Sequence, residues 1–523
     1  MPDRFLQAFV STVQQSRQPK PAPAGEVIRV SETVSAAAVV YETIRNSMEY
    51  DEEHVLLRNA IRRILSRRWG EGRNDRLASD LVHELVWARY LPNKEVSVAV
   101  IDEVAVILRK YAPLFFQIEP ATRDRQKRFL WLIDVLATDI ERHLAPPTAD
   151  ESLVSFAYQD LKARFEWLSP LVQPEDRDLQ LYLAVHRAML KSNVATLRYK
   201  ILCLYYPDWA SQPPEPLVEQ IAGNVFTVID AIEAQIRHPA ADRLFRLVQK
   251  QAVAYHVLRD IIEKDPFAFE GIVPDEKRLQ KAVVDAAIGR YDRFRSRLRR
   301  GVLRAAAFLF LTKTVLAILV EVPYDIAVAK SANYLPLLTN ILFHPLLLGV
   351  IGLTVRIPED KNTAAILDAV RSILQLSEPR PVCFAVKQRW HSPAVRALFG
   401  AMYAAMFLLT ITLIATLLRR LHFNVLSITF FLFFLSLVTF FGLKIRGGLR
   451  DLLMIEKSGG FVSLFFDMFF LPIVRLGRWI ILRAPRINVF LFFFDFIIEA
   501  PFKALIQLVE GWLDFLREKK EEI

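Results

Sequence analysis

Residues 308–325 read FLFLTKTVLAILVEVPYD, and the reading of that stretch decides what kind of protein this is. The apolar run around it extends from Ala305 to Val320 between Arg304 and Glu321, with Lys313 as its one charge. Read as a membrane span, the run places the Lys313 ammonium near the middle of the hydrocarbon. An unpaired lysine there costs at least ~2.5–3.5 kcal/mol on insertion scales. Lys313 must therefore face the protein interior and find a partner.

Toward the C-terminus the apolar character repeats. Residues 334–355, 397–418 and 423–443 are uncharged runs of 22, 22 and 21 residues. A helix needs ~20 residues to cross ~30 Å of hydrocarbon, so each is long enough to span. The first run reaches that length only by extending through EVPY, which puts Glu321 near the far interface. Spans are expected near 305–324, 334–355, 397–418 and 423–443. Basic residues set their orientation. Five arginines in Arg293–Arg300, seven basic residues in the 356–396 loop, and KIRGGLR after the fourth run place those segments in the cytoplasm. RRLH (Arg419 to His422) disagrees, falling on the outer side. Beyond Phe461, FVSLFFDMFFLP and INVFLFFFDFII are apolar blocks too short to span, each holding an aspartate, with RLGRWIILRAPR between them. They read as a phenylalanine-rich interfacial or re-entrant hairpin, closed by an amphipathic helix from Phe502 to Arg517 and a cytoplasmic C-terminus.

Toward the N-terminus the chain is helical in another style. Residues 1–26 form an amphipathic arm with Phe5, Phe9 and Val13 every four residues, then a proline-rich linker. The arm is expected to dock on its own protein. Residues 27–300 carry apolar residues at helical spacing, as in SETVSAAAVVYETI and in NDRLASDLVHELVWARYL with Leu77, Leu81, Leu85 and Trp87. PEDRDLQLYLAVHRAMLKSNVATLRYKILCLYY reads as one long helix between Pro174 and Pro207. The fold class is all-α: a large N-terminal cytoplasmic helical domain (27–300), a membrane domain of about four spans (301–460), and the hairpin with its terminal helix (461–523).

Charge follows the same division. Residues 1–300 carry 43 basic against 41 acidic side chains, and residues 301–523 carry 24 against 16. The excess sits in the apolar half, where it serves topology, and no basic face with stacking aromatics calls for nucleic acid. The run Arg58 to Arg73 reads as a solvated helix face. Two cysteines 180 positions apart make neither a disulfide framework nor a metal pair. The first 20 residues lack the apolar stretch and cleavage site of a secretory signal. GxSxG, GxxxxGK[ST], HExxH and GxGxxG patterns are missing, so neither an enzymatic activity nor a cofactor is expected.

The intramembrane polar residues form the candidate site. Lys313 is expected to pair with Asp467 or Asp495, with Asn340, Thr339 and His344 completing the network, Glu321 at its outer edge, and Pro336 and Pro345 bracketing the polar group. The expected role is a membrane-tethered helical interaction or assembly platform. Its partners are the lipid bilayer and a protein or second copy bound through the cytoplasmic domain, in the cell membrane of a bacterium. The alternative is a channel or transporter using the Lys/Asp cluster.

Overall fold

The computed structural model describes residues 4–18, 25–30, 56–69, 74–118, 122–329, 334–358, 360–385, 392–455 and 470–480. SETVSAAAVVYETI, Asp467, Asp495, most of the tail blocks and the C-terminal helix lie outside the described residues. The chain divides into two compact units, one built from Arg4–Gln159 and Leu171–Phe245, the other from Asp160–Pro170 and Arg246–Val489.

The first unit is helical because its apolar residues recur at three and four positions. Its helices are α1 (Arg4–Ser16), α2 (Leu56–Arg68), α3 (Asn74–Trp87), α4 (Ala99–Phe116), α5 (Arg123–Leu144), the start of α6 (Thr148–Ala163), α7 (Pro174–Leu190), α8 (Val194–Tyr205), α9 (Glu215–Gly223) and α10 (Val225–Ile236). One apolar core joins α2 through α5 to α8, α9 and α10 through Ile61, Leu81, Leu85, Leu114, Leu136, Ile201 and Ile232. The arm α1 buries Leu6, Phe9, Val10 and Val13, and its Thr12 hydroxyl meets Ser152 of α6 at 3.3 Å. It therefore docks on its own protein. The stretch 174–206 is two helices and not one. Lys191 ends α7 in the left-handed region (φ 52°), and Asn193 caps α8 by accepting from the Thr196 amide at 3.1 Å. Serine and asparagine favour such a break by competing for backbone hydrogen bonds.

In the second unit, α11 (Ala241–Lys264) precedes the 41-residue α12 (Glu276–Leu316), which Asp275 caps by accepting from the amides of Lys277 and Arg278. At ~1.5 Å per residue α12 is about 60 Å long, a polar helix that becomes a span without a break at residue 300. Among the described residues, four helices are long and apolar enough to cross a membrane: α12 with its continuation, α13 (Tyr334–Leu353), α15 (Pro393–Arg420) and α16 (Val425–Gly448). On α13 the burial pattern is inverted relative to a helix in water. Along α13 the buried residues are Pro336, Asn340, His344 and Leu348, while Leu335, Leu338, Leu346 and Leu353 are exposed. A polar seam inside and an apolar surface outside suit lipid as solvent. Gly352 and Gly442 set the spacing: a Cβ at Gly352 would lie 2.8 Å from Val302, and one at Gly442 would lie 2.9 Å from Ile351.

The 356–396 segment is more than a loop. It holds α14 (Asp360–Ile373) and β2 (Val382–Phe384), which pairs in parallel with β1 (Phe165–Trp167). Asn362 of α14 is buried and donates to the Tyr291 hydroxyl of α12 and to the Leu452 carbonyl just past α16. Its Oδ1 accepts from the Met454 and Ile455 amides. Residues 470–480, inside the expected interfacial or re-entrant hairpin, are helical and lie directly on α16: a Cβ at Gly477 would come within 2.0 Å of the Ser436 carbonyl oxygen.

Candidate functional site

The polar seam is assembled from two turns of α12 and its continuation and one turn each of α13 and α16. On α12 and its continuation, Leu309, Lys313, Ala317 and Glu321 are buried at intervals of four. A regular α-helix would rotate Glu321 about 80° away from Lys313 over those eight residues. The helix instead widens into π-helical turns at Ala317–Glu321 and Asp325–Ala329, on either side of Pro323. Proline lacks the N–H for one rung of the ladder, and the wider turn returns Glu321 to the face that holds Lys313.

Lys313 uses all three of its protons. It donates to the main-chain carbonyl of Asn340, to Asn340 Oδ1 at 2.5 Å and to His344 Nδ1 at 2.8 Å. His344 Nε2 lies 3.0 Å from the Phe431 carbonyl, which can only accept. Nε2 therefore carries the imidazole proton, and Nδ1 is the acceptor that Lys313 needs. Asn340 Nδ2 in turn donates to both oxygens of Glu321, at 2.8 and 2.9 Å, and the Ser427 hydroxyl donates to Oε2 at 3.1 Å. One amide thus joins a cation to an anion, its oxygen toward the ammonium and its nitrogen toward the carboxylate. The Phe434 ring centroid lies 4.8 Å from Lys313 Nζ, and Phe431 meets the His344 ring edge-on at 4.7 Å. Lys313, Glu321, Asn340 and His344 are each 3% exposed or less.

Of the residues singled out from sequence, the structure brings Lys313, Asn340, His344 and Glu321 together. Thr339 is half-buried, one position off the seam, and forms no hydrogen bond to the cluster among the described residues. Asp467 and Asp495 lie outside the described residues. The carboxylate found on Lys313's network is Glu321, brought in from the expected interface by the π turn. Ser427 and the Phe431 carbonyl were missed. Ser427 follows its cap Asn424 by three residues, a helix-start signal that says nothing about facing a carboxylate. Arg475, from the stretch between the two apolar blocks, lies over the Tyr403 ring of α15 at 4.6 Å.

Scanned against protein-family models, curated proteins and solved structures, the chain matches none of them.

Two further polar clusters lie in the first unit. Asp139 is buried and receives the Tyr111 and Tyr199 hydroxyls, each at 3.0 Å, and Lys110 at 2.7 Å. Burial, then the Asp139 charge, pushes Tyr111 well above the ordinary phenol value. The second cluster centres on Glu151, which meets Arg142 at 2.8 Å, Lys200 at 2.7 Å and His186 Nε2 at 3.3 Å. Burial alone would raise Glu151, but the His186 bond and the Lys200 and Arg142 charges outweigh it and hold the carboxyl low. Burial holds His186 below the usual imidazole value, against the pull of Glu151, and Ser192 lies 2.6 Å from its Nδ1. Both clusters join helices through saturated side chains. No group of three or more His, Cys, Asp or Glu able to hold a metal ion occurs among the described residues.

Proposed function

We propose that the protein is a membrane-tethered helical interaction platform, held in the bilayer by a polar clamp at Lys313, Asn340, His344 and Glu321. The observation that carries this reading is the pairing within the cluster: each ammonium proton has an acceptor, and both carboxylate oxygens accept, from the Asn340 amide and, at Oε2, also from the Ser427 hydroxyl. A site that passes ions must exchange partners, whereas this one pairs its charges internally and is buried among α12, α13 and α16. Equal and opposite charges bridged by an amide fix the register of three spans at low electrostatic cost. The helical unit then presents its surface to a protein partner or a second copy, with no catalytic role. The excess of arginine before the first span supports a cytoplasmic position for that unit, and the basic residues of the 356–396 segment support the same side for that segment.

One observation favours a transport reading. Glu321 sits in a π turn, a device that recurs at functional sites, and an ionisable pair inside a span marks ion pathways in many membrane proteins. Flux measurement separates the two. Purified full-length protein in liposomes under imposed proton, sodium or potassium gradients is expected to leak no faster than protein-free vesicles. Photo-cross-linking from exposed positions such as Phe116 and Leu204 in intact cells is expected to give a discrete adduct. Ion flux that Lys313→Met abolishes, with no discrete adduct, would replace the platform with a transporter.

A further inference from the structure

The cytoplasmic end of the span bundle carries a strip of arginines that nothing described so far uses. Three contacts fix its level. Val302 of α12 abuts Gly352 of α13, Ile351 of α13 abuts Gly442 of α16, and the Phe294 ring lies 3.4 Å from where a Gly448 Cβ would be. Residues 302, 352 and 442 therefore share one height, and the segments beyond it hold Arg295, Arg297, Arg299, Arg300, Arg356, Lys444, Arg446 and Arg450. Lys313 lies eleven residues the other way, about 16 Å deeper, which is half the thickness of a ~30 Å hydrocarbon core. The basic level thus coincides with the headgroup layer.

Position on α12 divides these arginines. At about 100° per residue, Phe294, Leu298, Val302, Ala305 and Leu309 make the face that packs on the other spans. Arg297, Arg300 and Arg304 fall within about 60° of one another on the opposite face, in line with Leu311 and Val315. All three are exposed, and among the described residues none has an ion-pair partner. Arg293, at the cytoplasmic end of the same stripe, is paired with Asp260, and Arg295 lies 3.7 Å from Asp292. Arg446 donates to Thr354. Arg304 is the most telling, because Leu303 (72% exposed) and Phe308 (60% exposed) beside it face the lipid. Its Cα lies about 3 Å to the hydrocarbon side of residue 302, and its long stem lets the guanidinium reach back to phosphate, the acceptor its planar fork fits in two-point fashion.

We propose that Arg297, Arg300 and Arg304 form a binding strip for the headgroups of anionic phospholipids, on the lipid-facing side of the first span. The flanking leucines and phenylalanine require a ligand that carries its own apolar tail, which commits the strip to lipid and not to a soluble phosphate. Three cations without carboxylates favour a headgroup with net negative charge over a zwitterionic one, whose phosphate is already matched by its own amine.

The test uses the full chain in detergent micelles, titrated with phosphatidylglycerol or phosphatidylcholine and read by native mass spectrometry. Wild type is expected to bind phosphatidylglycerol in preference and to lose that preference at high salt. At about fivefold per arginine, the triple substitution Arg297→Gln, Arg300→Gln, Arg304→Gln should cut the preference tenfold or more. Arg297→Lys, Arg300→Lys, Arg304→Lys keeps the charge and should retain most of it. If the glutamine variant fails to fold, the lysine variant and the wild-type salt dependence carry the test. Equal binding of the two lipids by wild type, or unchanged preference in a folded glutamine variant, would overturn the strip. Displacement of bound phosphatidylglycerol by millimolar inorganic phosphate would overturn its assignment to lipid.

Discussion

Asn340 does more than its neighbours in the polar cluster because it touches both charges. Lys313→Met removes one charge but leaves Glu321 with its donors Asn340 and Ser427, so the fold should survive with lowered thermal stability. Asn340→Leu strands ammonium and carboxylate together. At ~1–2 kcal/mol per intramembrane hydrogen bond it should be the most damaging single change, costing about 3 kcal/mol or more. Lys313→Glu faces Glu321 with a like charge, and adding Glu321→Lys should recover part of the lost abundance. Detergent-solubilised melting curves of the four variants check the order. Equal losses for Lys313→Met and Asn340→Leu would remove the bridging role. A second residue-scale test concerns pH. His186 is depressed in the folded chain, so as pH falls through about 6.5 the unfolded chain takes up the proton first. Stability of α7 should therefore decline from about pH 6.5 downward, by at most about 1.4 kcal/mol per pH unit. The depressed Glu151 adds a further loss at lower pH, below the ordinary carboxylate range. Hydrogen exchange of α7 amides reads this slope, and His186→Gln should flatten it between pH 6.5 and 5.

Elements decided how much of this was legible in the sequence. The four spans could be read because length and hydropathy suffice for a membrane helix, and Lys313 stood out because a charge in such a run must be answered. Its partner could not be read. Glu321 is eight residues away, which on a regular helix is a different face, and only the π turn beside Pro323 realigns it. Asn362 was invisible for another reason: its four hydrogen bonds go to a hydroxyl and three backbone groups some 70 to 90 residues distant in the chain. That asparagine ties α14 to α12 and to the end of α16. Asn362→Ala would take their partner from the buried Leu452 carbonyl and from the part-buried Met454 and Ile455 amides, costing about 1–3 kcal/mol. Limited proteolysis should then cut near α14 well before the wild type is cut. Gly477 is a comparable element-scale joint, with no room for a side chain over the Ser436 carbonyl. Gly477→Leu should lower the melting temperature of the full chain, whereas Gly400→Leu, with open space around that glycine, should not.

For the whole molecule, the account predicts that the segment around Leu376 lies in the cytoplasm and that His422, in the short turn between α15 and α16, lies outside. Reporter fusions at the two positions should score inside and outside; the reverse would mean that Arg419 and Arg420 outweigh the basic residues at the other end. The central claim is that the polar cluster is a sealed joint and not a passage, and cysteine accessibility tests it most directly. The chain has two cysteines, Cys203 and Cys383, so Cys203→Ser and Cys383→Ser give a cysteine-free background. Ser427→Cys then places a thiol of nearly the same size beside Glu321, and Arg297→Cys supplies an exposed control. The measurement is the rate at which a charged, membrane-impermeant thiol reagent modifies each variant in sealed vesicles of either orientation. The account predicts that the Ser427→Cys thiol stays unmodified from both sides while the Arg297→Cys thiol reacts fully from the cytoplasmic side. Modification of position 427 from either side at a rate near that of the control would show that water reaches the cluster, and would contradict the clamp.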